Sequence, residues 1–157
     1  MNDFQKGNAK RIVIVGGPRT GKSYLAQQIH RGMGAAVYCG DPLSKVKEPL
    51  PGVNYLPEGL PFDGDTGAAQ WIVDNWFTMP GPWVMEGHVM ARALRRWTGA
   101  EGHSWDEPPL SPCDLVYVFE EQRPEIELLP GQVAMHKGVL RVWSEIADVF
   151  SDITVYL

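Results

Sequence analysis

Eight consecutive residues, Gly16-Gly17-Pro18-Arg19-Thr20-Gly21-Lys22-Ser23, match the spacing G-x-x-x-x-G-K-[ST] at every fixed position. Glycines let successive backbone N–H groups converge on an oxyanion, and a helix starting at the end of the loop adds its positive dipole end. In this pattern the ammonium of Lys22 reaches the β- and γ-phosphates, and the hydroxyl of Ser23 binds Mg²⁺. The expectation is that Gly16 through Ser23, with Tyr24 following, holds the phosphates of a nucleotide. The alternative is a Gly-rich turn that only lets a strand and a helix pack closely. Arg19 is permitted but not demanded by the pattern, and either touches a phosphate or faces solvent.

Two carboxylates have chemistry available to them at the ends of apolar runs. Glu86 closes Trp83-Val84-Met85, where a second carboxylate helps to hold Mg²⁺ or its waters. Asp41 follows Ala35-Ala36-Val37-Tyr38-Cys39-Gly40, on the side where α/β sheets present ligands. There it could take a proton from an attacking hydroxyl. Turn chemistry is the alternative for both, since Asp-Pro opens turns and Glu-Gly can simply end a strand.

Arg92, Arg95 and Arg96 are spaced i, i+3, i+4 and share one side of a helix. Guanidinium groups grip phosphate in bidentate fashion, so the trio reads either as a clamp on an acceptor phosphate or as a solvated face paired with Glu101 or Asp106. Arg123, Lys137 and Arg141 are further cations that could stabilise transferring phosphoryl charge, Arg123 foremost; the alternative for Lys137 and Arg141, i, i+4 on one helix, is that they only decorate its surface. Trp71, Trp76 and Trp143 fall on helical core positions, whereas Trp97 and Trp105 either pack or stack on a base. His88, His103 and His136 lack paired metal-site spacing and receive no ligand role.

These groups must be positioned by a chain of 157 residues, the size of one domain, here 1–157. With 44% hydrophobic and 21% charged residues it is of ordinary globular composition. The formal net charge of -5 argues against generic duplex coating but permits a narrow, phosphate-sized basic pocket. Cys39 and Cys113 are the two cysteines, too few for a disulfide scaffold or a four-cysteine zinc site. No apolar run nears the roughly 18 residues of a membrane span, and Met1 to Lys10 lacks a signal peptide's apolar core. The expected setting is a reducing cytoplasm without membrane attachment.

Apolar, β-branched runs predict buried strands at 12–15, 35–39, 83–85, 115–119 and 153–157. Helical spacing predicts helices over 23–31, 66–77, 89–97 and 132–150. Between them, 42–67 and 98–113 are rich in proline and glycine and read as loop insertions over the site. Alternating strands and helices imply right-handed crossovers and a five-stranded parallel sheet covered on both faces, a three-layer α/β/α sandwich.

With GGPRTGKS, CGDP, WVMEG, ARALRRW and DLVYVFE in this order, most of the chain resembles the small P-loop kinases that phosphorylate nucleosides, nucleotides and similar acceptors. The resemblance implies a P-loop fold with ATP and Mg²⁺ as cofactors. It places Asp41 where several such enzymes carry the acceptor-binding or base aspartate, and Glu86 where they carry the metal-side carboxylate. The compact size, the Pro-rich insertion and LPGQVAMHKGVLRVW look more like the short kinases of bacterial viruses, one group of which phosphorylates 5-hydroxymethyluracil in viral DNA. That likeness would place the chain in a host cytoplasm. The sequence departs from adenylate-kinase-like enzymes in offering only Arg123 before the late helix rather than a lid with several arginines. It also has no Asn-Lys-x-Asp guanine-recognition motif. The readings in order are a kinase acting on a hydroxymethylated pyrimidine in DNA, a kinase acting on a free nucleoside or nucleoside monophosphate, and an ATP-binding switch or ATPase module.

Overall fold

A computed structural model describes residues 7–58, 64–99, 111–123 and 127–157. Its centre is β1 (Arg11–Val15), whose Val13, Ile14 and Val15 are fully buried. A strand this apolar on both faces requires neighbours at both edges and layers above and below. It has them: β4 (Trp83–Gly87) pairs along one edge, with Ile14 opposite Glu86, and β5 (Leu115–Val118) along the other. Beyond them lie β2 (Ala36–Pro42), β3 (Val53–Leu56) and β6 (Thr154–Tyr156), giving a wholly parallel sheet in the order β3-β2-β4-β1-β5-β6.

The sheet therefore has six strands where the sequence predicts five. The additional strand, β3, lies inside the stretch expected to be loop. It is four residues long, sits between Pro51-Gly52 and Pro57, and buries only Leu56. Too short for an apolar alternation to register, it is held by tertiary pairing with β2 and by Asn54 Nδ2 donating to the Val37 carbonyl at 3.0 Å. The stretch 42–67 also contains a 3₁₀ turn, Leu43–Lys45, and the start of a helix at Gly64.

The two-residue period of β1 sorts the layers. Ile12 and Ile14 face α1 (Lys22–Met33) in a cluster with Ala26, Val37, Val84 and Leu115. Val13 and Val15 face the opposite way, into a larger cluster built with α2 (Gly64–Asn75), α3 (Met90–Trp97) and α4 (Pro130–Ile146). Helices thus cover both faces of the sheet, as the alternating pattern predicts.

Element ends shift for local reasons. α4 starts two residues early because Pro130 occupies a first-turn position where its missing N–H costs nothing. Trp76 and Phe77 both direct their N–H to the Ile72 carbonyl, which ends α2 at Asn75. Trp76, Trp83 and Trp143 are buried, and Trp97 packs edge-on against Phe77 at 6.1 Å. Trp105, His103, Glu101 and Asp106 lie outside the described residues. Among the described residues no helix is long and apolar enough to cross a membrane.

Candidate functional site

The loop from Gly16 to Gly21 leaves β1 and enters α1, so its backbone lies at the C-terminal edge of the sheet. The first amides of α1 have no carbonyl ahead of them within the helix, which leaves their N–H groups for an anion. Arg19 holds the left-handed backbone conformation at φ 61°, uncommon for a residue with a side chain. The loop is braced from several directions. Thr20 Oγ1 donates to the Gly17 carbonyl at 3.0 Å, and Lys22 Nζ donates to the same carbonyl at 3.1 Å. The side-chain amide of Gln122 donates to the Pro18 carbonyl at 2.8 Å, and the Arg123 N–H donates to the Arg19 carbonyl at 2.8 Å.

Facing the loop are the ends of β2 and β4. Their register sets Cys39 opposite Glu86. The Ser23 hydroxyl donates to Glu86 Oε1 at 3.4 Å, so the two groups read from sequence as Mg²⁺ ligands are adjacent. Glu86 is buried at 5% exposure. Burial pushes its carboxyl above the ordinary range, against the pull of the Lys22 ammonium and of hydrogen bonds from Cys39 and Ser23. Burial and the nearby carboxylates also push the Cys39 thiol up, so it stays an S–H group, donating to Asp41 Oδ2 at 3.7 Å.

Asp41 is half-buried. Burial works to raise its carboxyl, but the hydrogen bond and charge of His88, with Lys22 and Cys39, outweigh it and hold Asp41 below its ordinary value. His88 stands between two carboxylates, Nδ1 at 3.2 Å from Asp41 Oδ1 and Nε2 at 3.3 Å from Asp65 Oδ1. The hydrogen bond with Asp41 is the largest of the influences that raise the imidazole above its ordinary value, against its partial burial.

Among the described residues, three hollows adjoin these groups. The largest, about 400 Å³, is lined by Lys22, Ser23, Cys39, Asp41 and Glu86, with Glu48 and Tyr55 from the 42–67 stretch. A second, about 340 Å³, lies on the other side of His88 and is bordered by Asp65, Arg92, Met135 and Val139. A third, about 220 Å³, is lined by the loop and the start of α1 from Arg19 to Tyr24, Lys22 and Ser23 included, and by Arg123.

Lys22, Ser23, Asp41 and Glu86, predicted from widely separated stretches, thus share one cavity, and Arg123 lines another together with Lys22 and Ser23. The arginine trio diverges. Arg95 donates to Glu145 on α4 at 2.7 Å and Arg96 to Gln70 on α2 at 2.8 Å, while Arg92 lines the second cavity. The i, i+3, i+4 spacing puts the three on one side of α3, but that side is wedged between two helices, and Arg95 and Arg96 each find a partner there. Lys137 and Arg141 are exposed on α4, as surface residues.

Sequence reasoning missed His88, His136 and Gln122. His88 had a usable signal, standing two residues past a strand-ending glutamate; His136 and Gln122 meet the loop only through tertiary packing. Hydroxyl and carboxylate oxygens are hard donors suited to Mg²⁺, which needs only one or two protein carboxylates when phosphates supply the rest. Ser23 and Glu86 fit that requirement.

Comparison of the chain with protein families, with curated proteins and with solved structures finds no match. The fold and the site define an α/β protein with a six-stranded parallel sheet, carrying a glycine-rich loop, a lysine and two carboxylates at the C-terminal edge of its strands.

Proposed function

We propose that this protein is an ATP- and Mg²⁺-dependent kinase that transfers the γ-phosphoryl group to a hydroxyl of a nucleotide-type acceptor. The observation that carries the reading is the convergence of Lys22, Ser23, Glu86 and Asp41 on one cavity beside the loop. Gly16 through Tyr24 cradle the ATP phosphates, Lys22 neutralises charge on the β- and γ-phosphates, and Ser23 with Glu86 holds the metal. Asp41 orients the acceptor hydroxyl. Its lowered pKa keeps it ionised as a hydrogen-bond acceptor and makes it a weak base, which suits a phosphoryl transfer dominated by positioning. Arg123 shares a cavity with Lys22 and Ser23, and from there stabilises the transferring charge.

The acceptor enters from the second cavity, where Arg92 meets its phosphate. The preferred acceptor is a hydroxymethylated pyrimidine in DNA, presented singly, because a cavity of about 340 Å³ admits one extruded nucleotide rather than a duplex. The engagement of Arg95 and Arg96 by Glu145 and Gln70 favours a second reading, a free nucleoside monophosphate, since one arginine suffices for one phosphate. Incubation with labelled ATP and separate pools of free nucleotides, ordinary DNA and hydroxymethyl-containing DNA decides between them. Label in the hydroxymethyl DNA supports the first, and label confined to the small-molecule pool supports the second. ATP hydrolysis without transfer to any pool would replace both with an ATPase module.

A further inference from the structure

α4 presents a buried stripe to the sheet at 136, 139, 142, 143 and 146, apolar except for His136. A buried imidazole needs partners for both nitrogens. Nε2 lies 2.9 Å from the Glu120 carbonyl, which can only accept, so Nε2 carries the proton. Nδ1 is then a lone pair, and it accepts the N–H of Gly17 at 3.1 Å. A Cβ on Gly17 would stand 2.5 Å from the His136 Cα, so this helix demands the second glycine of the loop. A second tie runs parallel, with Gln122 Nε2 donating both to the Pro18 carbonyl and, at 3.1 Å, to the Gln132 carbonyl on α4. The same helix walls the second cavity with Met135 and Val139, neighbours of His136 in sequence and along the helix.

We infer that His136 is a positioning residue. Through the Gly17 N–H it fixes the glycine-rich loop in its phosphate-receiving shape and fastens that loop to the helix bordering the second cavity. The inference rests on reading the loop as a phosphate site. It assigns the conformation of the loop to a side chain 119 residues away that touches neither nucleotide nor acceptor.

Two conservative variants separate the ring's two bonds. His136→Asn keeps an acceptor near Nδ1 and loses the donor to Glu120; His136→Gln places an amide donor near Nε2 and loses the acceptor for Gly17. Mg–ATP affinity is measured by calorimetry on the full chain, with hydrogen exchange of the Gly17 amide and the melting temperature followed alongside. The expected result is a roughly tenfold weaker affinity and faster Gly17 exchange for His136→Gln, and for His136→Ala where it folds, with His136→Asn within about threefold of the parent. Unchanged Gly17 exchange in His136→Gln overturns the inference. So does an equal affinity loss in both variants that merely follows their melting temperatures. Should the parent bind no Mg–ATP while Gly17 exchange follows the expected pattern, the kinase reading falls and the hold of His136 on the loop stands.

Discussion

His88 Nδ1 stands 3.2 Å from Asp41 Oδ1. The approach is made possible by the glycines that precede each residue. Gly87 has φ 144°, and a Cβ there would lie 3.2 Å from the Gly40 nitrogen, so the ends of β2 and β4 close together only without side chains at this crossing. The pair has a pH signature. His88 is raised above its unfolded value, so its contribution to stability is full below that value and fades as pH rises through the folded pKa. Asp41 is lowered, so its contribution is present above its unfolded value and fades as pH falls through the folded pKa. The stabilising window therefore runs between roughly pH 4 and pH 6.5. His88→Ala is expected to cost about 1–2 kcal/mol there and less at alkaline pH, read from denaturant melts across pH. An equal cost at all pH values would show that the ring only fills space.

Lys22→Ala separates chemistry from folding. The ammonium donates to the Gly17 carbonyl and offsets the charge of Asp41 and Glu86, so its loss is expected to lower the melting temperature without changing the secondary structure. Phosphoryl transfer is expected to fall by about 10²–10³-fold, on the scale of losing one preorganised charge donor, with the circular dichroism spectrum unchanged.

Glu86→Gln should move stability and activity in opposite directions. Burial raises the Glu86 carboxyl above its unfolded value, so its ionised form opposes folding at neutral pH. A neutral amide of the same shape removes that opposition, and the melting temperature is expected to hold or rise. The Mg²⁺ concentration for half-maximal transfer is expected to rise at the same time, because one hard oxygen donor has lost its charge. A fall in melting temperature without a change in Mg²⁺ dependence would reassign Glu86 to structure.

What was legible in the sequence follows from how local each signal is. The strand β1, the loop and α1 form one continuous stretch, so their apolar run, glycines and helical spacing appear together and place Lys22 and Ser23 directly. Glu86 and Asp41 were legible because strands in a parallel sheet deliver their C-terminal residues to one edge, whatever their order. β3 was not, because a four-residue edge strand between prolines owes its shape to pairing with β2. The arginine partners were not legible either. Glu145 and Gln70 lie 50 and 26 residues away in sequence from the arginines they meet, while the acids considered from sequence were neighbours of the helix.

The divergence of the three arginines gives a test of the acceptor's position. Arg92 lines the second cavity with Asp65 and His88, while Arg95 and Arg96 tie α3 to α4 and α2. A guanidinium that meets an acceptor phosphate contributes to acceptor binding and leaves ATP binding alone. Arg92→Ala is expected to raise the acceptor KM about tenfold or more, as loss of a charged hydrogen bond does, with the ATP KM within twofold. The Arg95–Glu145 pair is partly exposed, so Arg95→Ala is expected to cost at most about 1 kcal/mol of stability and leave both KM values in place. Arg96→Ala, which removes a hydrogen bond to a neutral amide, is expected to behave alike. Steady-state kinetics with varied acceptor and fixed ATP, then the reverse, reads both quantities. An acceptor KM that responds to Arg95 or Arg96 but not to Arg92 would move the acceptor out of the second cavity and onto the outer face of α3.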